Sequence, residues 1–168
     1  MTIPWLTPHK VLCIDPGPHV GIATWTEQQL AVGNKYVEDF KAWEETPERL
    51  YAVADAFVLW ADVVVCEGFV ISGARAKEAN ATIEMIGVLR YLAALHHKRF
   101  VEQRPGAYKF AGSDKLKRLG WYTPGSDHAR SASGHLVLYL CEAELIDKTR
   151  LLPQSRDVLS SGAEGGEC

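Results

Sequence analysis

The first apolar block of the chain, Val11-Leu12-Cys13-Ile14, leaves no polar face. Four such residues in a row predict a strand buried on both sides, and it stops at Asp15, where Pro16-Gly17-Pro18 imposes a turn. Residues 20–26 predict a second strand and residues 30–37 a third, so the opening third reads as a β-meander. Thr46-Pro47-Glu48 then supplies an N-cap hydroxyl, a proline at the first helical position and an acid in the first turn. The apolar pattern that follows to Trp60 predicts a crossover helix. Residues 63–66 form a short β-branched run that again closes on a carboxylate and a glycine, Glu67-Gly68. Over residues 76–97, Ile83, Ile86, Leu89 and Ala93 recur at helical spacing, with Met85, Val88, Leu92 and Leu95 adding apolar surface. A helix apolar over so much of its circumference needs a second cover, and another subunit is the candidate. Residues 100–103 predict a fifth strand, ended by Arg104-Pro105-Gly106, and residues 127–146 a last helix after Pro124-Gly125-Ser126.

Composition narrows the class without changing this picture. With 168 residues, 47% hydrophobic and 23% charged, the chain reads as one globular domain over residues 1–152 with a Ser- and Gly-rich disordered tail over 153–168. There is no twenty-residue apolar run and no basic-then-apolar leader, so a cytoplasmic protein with no membrane segment is expected. Cys13, Cys66, Cys141 and Cys168 lack metal-ligand spacing and read as reduced thiols.

Charge adds one feature. The net charge is −3, yet residues 96–118 carry seven basic residues (Lys98, Arg99, Arg104, Lys109, Lys115, Lys117, Arg118) against Glu102 and Asp114. Such a segment is either a solvated face or a surface for a polyanion.

The two strands that end in carboxylates carry the candidate chemistry. A strand–helix–strand unit sets its strands parallel, so if the first and fourth strands are neighbours, Asp15 and Glu67 emerge side by side at the edge where α/β sheets bind ligands. Two carboxylates about 4 Å apart repel by roughly 4 kcal/mol at an effective dielectric near 20. The pair must therefore take up a proton or a cation, and oxygen donors suit magnesium or manganese. Taken singly, an Asp before Pro-Gly is a turn initiator, and a third acid, Asp127, could be a first-turn acid favoured by the helix dipole.

An early strand ending "IDPG", a later one ending "CEGFVI", a long helix and a final helix opening "DHARSASGH" together resemble RuvC-type Holliday junction resolvases of the RNase H-like superfamily. The last motif is most similar to resolvases carried by bacteriophages, in which case the compartment is the host cytoplasm. The resemblance spans roughly residues 10–141. It implies an α/β RNase H-like fold: a mixed five-stranded sheet, with an antiparallel meander of strands 1–3 and then parallel strands 4 and 5, flanked by helices. It also implies a homodimer, built here on the 76–97 helix, that nicks four-way DNA junctions using two Mg²⁺ ions per site, Mn²⁺ serving as substitute. Asp15, Glu67 and Asp127 match the metal-binding catalytic positions, and His128 is a further catalytic candidate. DNA-contacting candidates are Phe69, Arg75, Lys77, Lys98, Arg99, Lys109, Lys115, Lys117 and Arg118. Phe69 reads equally as a core aromatic after a strand.

One departure stands out. The family carries a second acid one turn into the last helix, where this chain has Arg130 and Ser131. His128, Ser131 or His135 could stand in for it, while a lone helical histidine is also an ordinary structural residue. The departure keeps open a non-catalytic junction-binding protein. The fold keeps open other RNase H-like nucleases, acting on RNA–DNA hybrids, flaps or ribosomal RNA precursor.

Overall fold

The computed structural model describes residues 10–29, 36–69 and 76–153. Five strands form one sheet: β1 (Lys10–Asp15), β2 (Val20–Gln29), β3 (Tyr36–Glu45), β4 (Val63–Glu67) and β5 (Arg99–Gln103). Their order is β3-β2-β1-β4-β5, antiparallel from β3 to β1 and parallel from β1 to β5. Among the described residues four helices pack on the sheet: α1 (Pro47–Trp60), α2 (Ala76–Leu95), α3 (Ser113–Leu119) and α4 (Asp127–Glu142). Short 3-10 helices lie at Ala107–Ala111 and Lys148–Leu151.

Strand alternation sorts the core into two layers. On one face Leu12, Ile14, Ile22, Val64 and Cys66 pack against Leu50, Ala54 and Val58 of α1 and Met85, Ile86 and Leu89 of α2. On the other, Val11, Cys13, Ala23, Trp25, Val63 and Val65 meet Ala132, Leu136, Val137 and Leu140 of α4, with Leu116 and Leu119 of α3. The central strands are buried on both faces, which is why their sequences read as continuous apolar runs. Cys13 and Cys66 belong to opposite layers and, like Cys141, are free thiols.

The expected third strand is displaced. It runs from Tyr36 to Glu45 rather than over 30–37, and residues 30–35 lie outside the described set. As an edge strand it has charged residues between its packed ones: Phe40 and Ala42 rest on the α4 layer and Trp43 on the α1 side. That pattern carries less apolar signal than the run before it. The long helix ends at Leu95, two residues early, where His97 takes a positive φ of 54°. The last helix ends at Glu142 rather than 146, with Glu144 at φ 57° and the Leu145 amide bonded back to the Leu140 carbonyl. The tail from residue 154 onward lies outside the described residues.

Candidate active site

Register places the acids. β1 and β4 pair in parallel up to Ile14↔Cys66, so Asp15 and Glu67 stand next in line, and β4 pairs with β5 at Glu67↔Gln103. Period-2 alternation from Val11 and Cys13, from Val63 and Val65, and from Val101 turns Asp15, Glu67 and Gln103 toward α4. Three strand ends thus present a polar row to one helix. α4 answers with His128, Ser131 and His135, a stripe at helical spacing. The stripe can descend onto the row because Gly21, paired with Asp15 across β1–β2, has no side chain: a Cβ there would lie 2.0 Å from the His128 carbonyl oxygen.

The contacts are specific. The Asp15 and Glu67 carboxyls are close enough to perturb each other, and the Ser131 hydroxyl adjoins Asp15. His128 Nδ1 lies 3.4 Å from Asp15 Oδ2. Glu67 Oε1 accepts the Gly106 backbone N–H at 3.0 Å, and Glu67 Oε2 lies 3.4 Å from His135 Nε2. Burial, and then the hydrogen bond and charge of Glu67, push the Asp15 carboxyl up to about 8, against a smaller opposing effect of Ser131. Burial would raise Glu67 too, but the hydrogen bonds of His135 and Asp15, the charge of His135 and the Gly106 amide outweigh it and hold it at about 2. One proton is therefore shared asymmetrically, on Asp15, as two carboxyls in contact require.

The pair floors a cavity of about 550 Å³ whose walls include Tyr108, Leu116, Asp127, His128 and Arg130. Asp127 lines this cavity but does not join the acids: its side chain is 90% exposed and pairs with Arg130 one turn on. Arg130 also donates to the Thr123 carbonyl at 3.0 Å and lies over the Tyr122 ring. Among the described residues no group of three or more His, Cys, Asp or Glu side chains is preassembled to hold an ion. The donor set nevertheless fits one hard cation. Two carboxyls sit together where a cation could take the place of the proton that burial and Glu67 keep on Asp15, and His128 is within reach of the same carboxyl.

No family model matches the sequence, and no curated protein matches it. Solved structures do. RuvC of Thermus thermophilus in complex with a Holliday junction substrate superposes with a TM-score of 0.55 and 16% identity, over 81% of this chain and 95% of that one. A second Thermus thermophilus RuvC structure gives 0.52 and 16%, over 81% and 96%. The fowlpox virus Holliday junction resolvase gives 0.50 and 13%, over 82% and 99%. The chain shares the fold of these resolvase structures.

Within the RuvC-type fold the basic candidates divide by position. Phe69, 38% exposed, follows β4 at the carboxylate edge of the sheet. Lys109 is exposed on the 3-10 helix beside the cavity, and Lys115 lies over the Phe110 ring and donates to its carbonyl. Lys117 covers Tyr122, and Arg118 donates to the Leu151 carbonyl at 3.2 Å. Lys98 and Arg99 stand at the opposite end of β5 from Gln103, with Arg99 over Tyr139, so they are not gathered at the site. Arg75 and the side chain of Lys77 lie outside the described residues.

Sequence reasoning missed Gln103 and Arg130 as members of the site. Gln103 was readable in principle: it closes a strand with the same face parity as Asp15 and Glu67. Arg130 carried no such signal, since only the exit angle of α4 brings it to the cavity.

Proposed function

We propose that this chain is a metal-dependent endonuclease that resolves four-way DNA junctions by paired nicks. The observation that carries the proposal is the Asp15–Glu67 carboxyl pair at the floor of an open cavity whose wall includes His128 and Arg130. The likeness to structures of Holliday junction resolvases supports the choice of substrate. Asp15 and Glu67 would hold a Mg²⁺ or Mn²⁺ ion. A second ion requires Asp127 to leave Arg130. When bound, a divalent cation there activates water and offsets the charge that builds on a phosphodiester.

The chain's own residues do the rest. Asp15 would give up its proton to a cation, and His128, 38% exposed at the cavity wall, is placed to take a proton from water. The O–P bond to water forms as the P–O3′ bond breaks, and the proton ends on the departing 3′ oxygen, leaving 5′-phosphate and 3′-hydroxyl ends. Lys109, Lys115 and Arg130 grip phosphates, so affinity falls steeply with salt. Phe69, exposed at the same edge, stacks on an opened base. No described helix is long and apolar enough to cross a membrane.

The deciding experiment is cleavage of a labelled four-way junction with Mg²⁺ or Mn²⁺, comparing wild type with Asp15→Asn beside duplex, flap and RNA–DNA hybrid. Symmetrical nicks lost in the variant establish the resolvase. Cutting of another substrate keeps the site and changes its target. Tight junction binding without cutting in either protein favours the non-catalytic reading, for which the Asp127–Arg130 pair and Ser131 are the specific observations.

A further inference from the structure

His135 is fully buried in the third turn of α4, yet its Nε2 makes no well-aligned hydrogen bond, with Glu67 Oε2 3.4 Å away. Its other nitrogen, Nδ1, is 2.7 Å from Gln103 Oε1. Gln103 is itself only 7% exposed, and its Nε2 is the other orphaned atom of the pair. Two buried polar side chains with unmatched atoms are expensive to retain in a core unless they act on something.

The fold goes to some length to keep them there. Gly134, the residue before His135, lets the 3-10 helix Ala107–Ala111 close on α4: a Cβ at that position would lie 2.5 Å from the Tyr108 carbonyl oxygen. The Tyr108 ring then packs at a tilt against the His135 ring, with centroids 5.8 Å apart. The same approach brings the Gly106 N–H onto Glu67 Oε1. One carboxylate oxygen is therefore held by backbone, and the other lies 3.4 Å from His135, which is backed in turn by Gln103.

Orientation of the Gln103 amide sets the His135 tautomer. If Oε1 faces the ring, Nδ1–H donates to it; if the amide is turned, its NH₂ donates to a bare Nδ1 and the ring hydrogen moves to Nε2. A bare Nε2 would set a lone pair against a buried carboxylate, so the turned amide is the arrangement in which a neutral ring places its Nε2–H toward Glu67. We propose that His135, backed by Gln103, is a positioning residue that fixes the Glu67 carboxylate for cation binding. The proposal rests on the metal-dependent reading above. It assigns to this chain a strut reaching Glu67 from α4 through side chains on a third strand, β5. Outer partners of this type typically alter metal affinity by about 10- to 100-fold when removed.

The test is titration of the full chain with Mn²⁺ alone, followed by electron paramagnetic resonance, with thermal melting and junction cleavage on the same samples. His135→Leu is expected to bind Mn²⁺ about tenfold or more weakly, and Gln103→Leu, which leaves the ring in place, to lose affinity in the same direction. His135→Gln, whose amide can still donate to Glu67, is expected to recover most of the affinity. A purely structural histidine would lower the melting temperature and leave Mn²⁺ affinity per folded molecule unchanged. Gln103→Leu keeps the proposal testable where His135→Leu fails to fold. Wild-type affinity in both Gln103→Leu and any folded His135→Leu overturns the positioning role alone. A wild type that neither binds Mn²⁺ nor cuts DNA overturns the metal-dependent reading and this role with it.

Discussion

Asp15 and Glu67 have the same functional group and end adjacent strands, but their surroundings separate them. Asp15 is raised to about 8 and Glu67 lowered to about 2, so the metal-free site carries a proton through neutral pH. The sign for stability follows. Between the ordinary carboxyl value of 3.8 and about 8 the folded chain holds a proton on Asp15 that the unfolded chain has released, so rising pH favours unfolding. Stability therefore falls as pH rises through that window. Glu67 acts oppositely: its contribution is complete above its ordinary value of 4.5 and is lost as pH falls toward 2. Metal-free wild type should therefore melt at progressively lower temperature from pH 5 to pH 8 relative to Asp15→Asn, which cannot titrate at that position. Mn²⁺ should raise the wild-type melting temperature more at pH 8 than at pH 5. Parallel melting profiles for the two proteins across this range would remove the raised Asp15. At the same scale, Asp127→Asn should reduce cleavage far less than Asp15→Asn, because the Asp127 carboxylate is turned outward onto Arg130.

The elements matter through how α4 is seated. Ser126 caps it, accepting the Ala129 N–H at 3.0 Å and donating to Glu44 on β3 at 2.6 Å, while Glu44 also meets His19. Ser126→Ala should lower stability by about 1 kcal/mol in urea denaturation, the usual value of an N-cap. Gly21→Ala should do more, about 2 kcal/mol or above, and should abolish cleavage, since its Cβ meets helix backbone that can yield only by lifting His128 and Ser131 off Asp15. Neither residue advertises this. The buried strands and their terminal acids were legible in the sequence because burial on two faces writes an unbroken apolar run, and a carboxylate at its end breaks it. The β3 edge strand was misplaced because pairing on one side only leaves room for Glu38, Asp39 and Lys41. α3 went unread inside a basic segment, where its two buried leucines, Leu116 and Leu119, are too few to set a period. The roles of Asp127 and His128 were unreadable for a geometric reason: neighbours on a helix differ by about 100° of rotation, and only the docking of α4 decides which one faces the sheet.

At the scale of the molecule, the proposed function requires that two such cavities address the opposed strands of a junction. α2 buries Met85, Ile86, Leu89 and Ala93 against the sheet, yet Ile83, Val88, Tyr91 and Leu95 remain exposed on its outer side, Tyr91 by 65%. Gly87 sits among them with nothing within 4 Å of where its Cβ would be, a flat spot that admits a close helix. An outward apolar stripe of this kind fits a second copy of α2 across a two-fold axis, which would fix the separation of two active sites. We infer that pairing of nicks depends on this face and chemistry at each site does not. Tyr91→Glu should leave the monomer's stability within about 0.5 kcal/mol, since the side chain is exposed, while changing the sedimenting species from dimer to monomer. On a cruciform plasmid the wild type should yield linear product, because both strands are cut within one encounter. The variant should accumulate nicked circles at unchanged Mn²⁺ affinity. A wild type that sediments as a monomer with and without junction DNA, or a monomeric variant that still linearises the plasmid, would break the link between this helix and paired cutting.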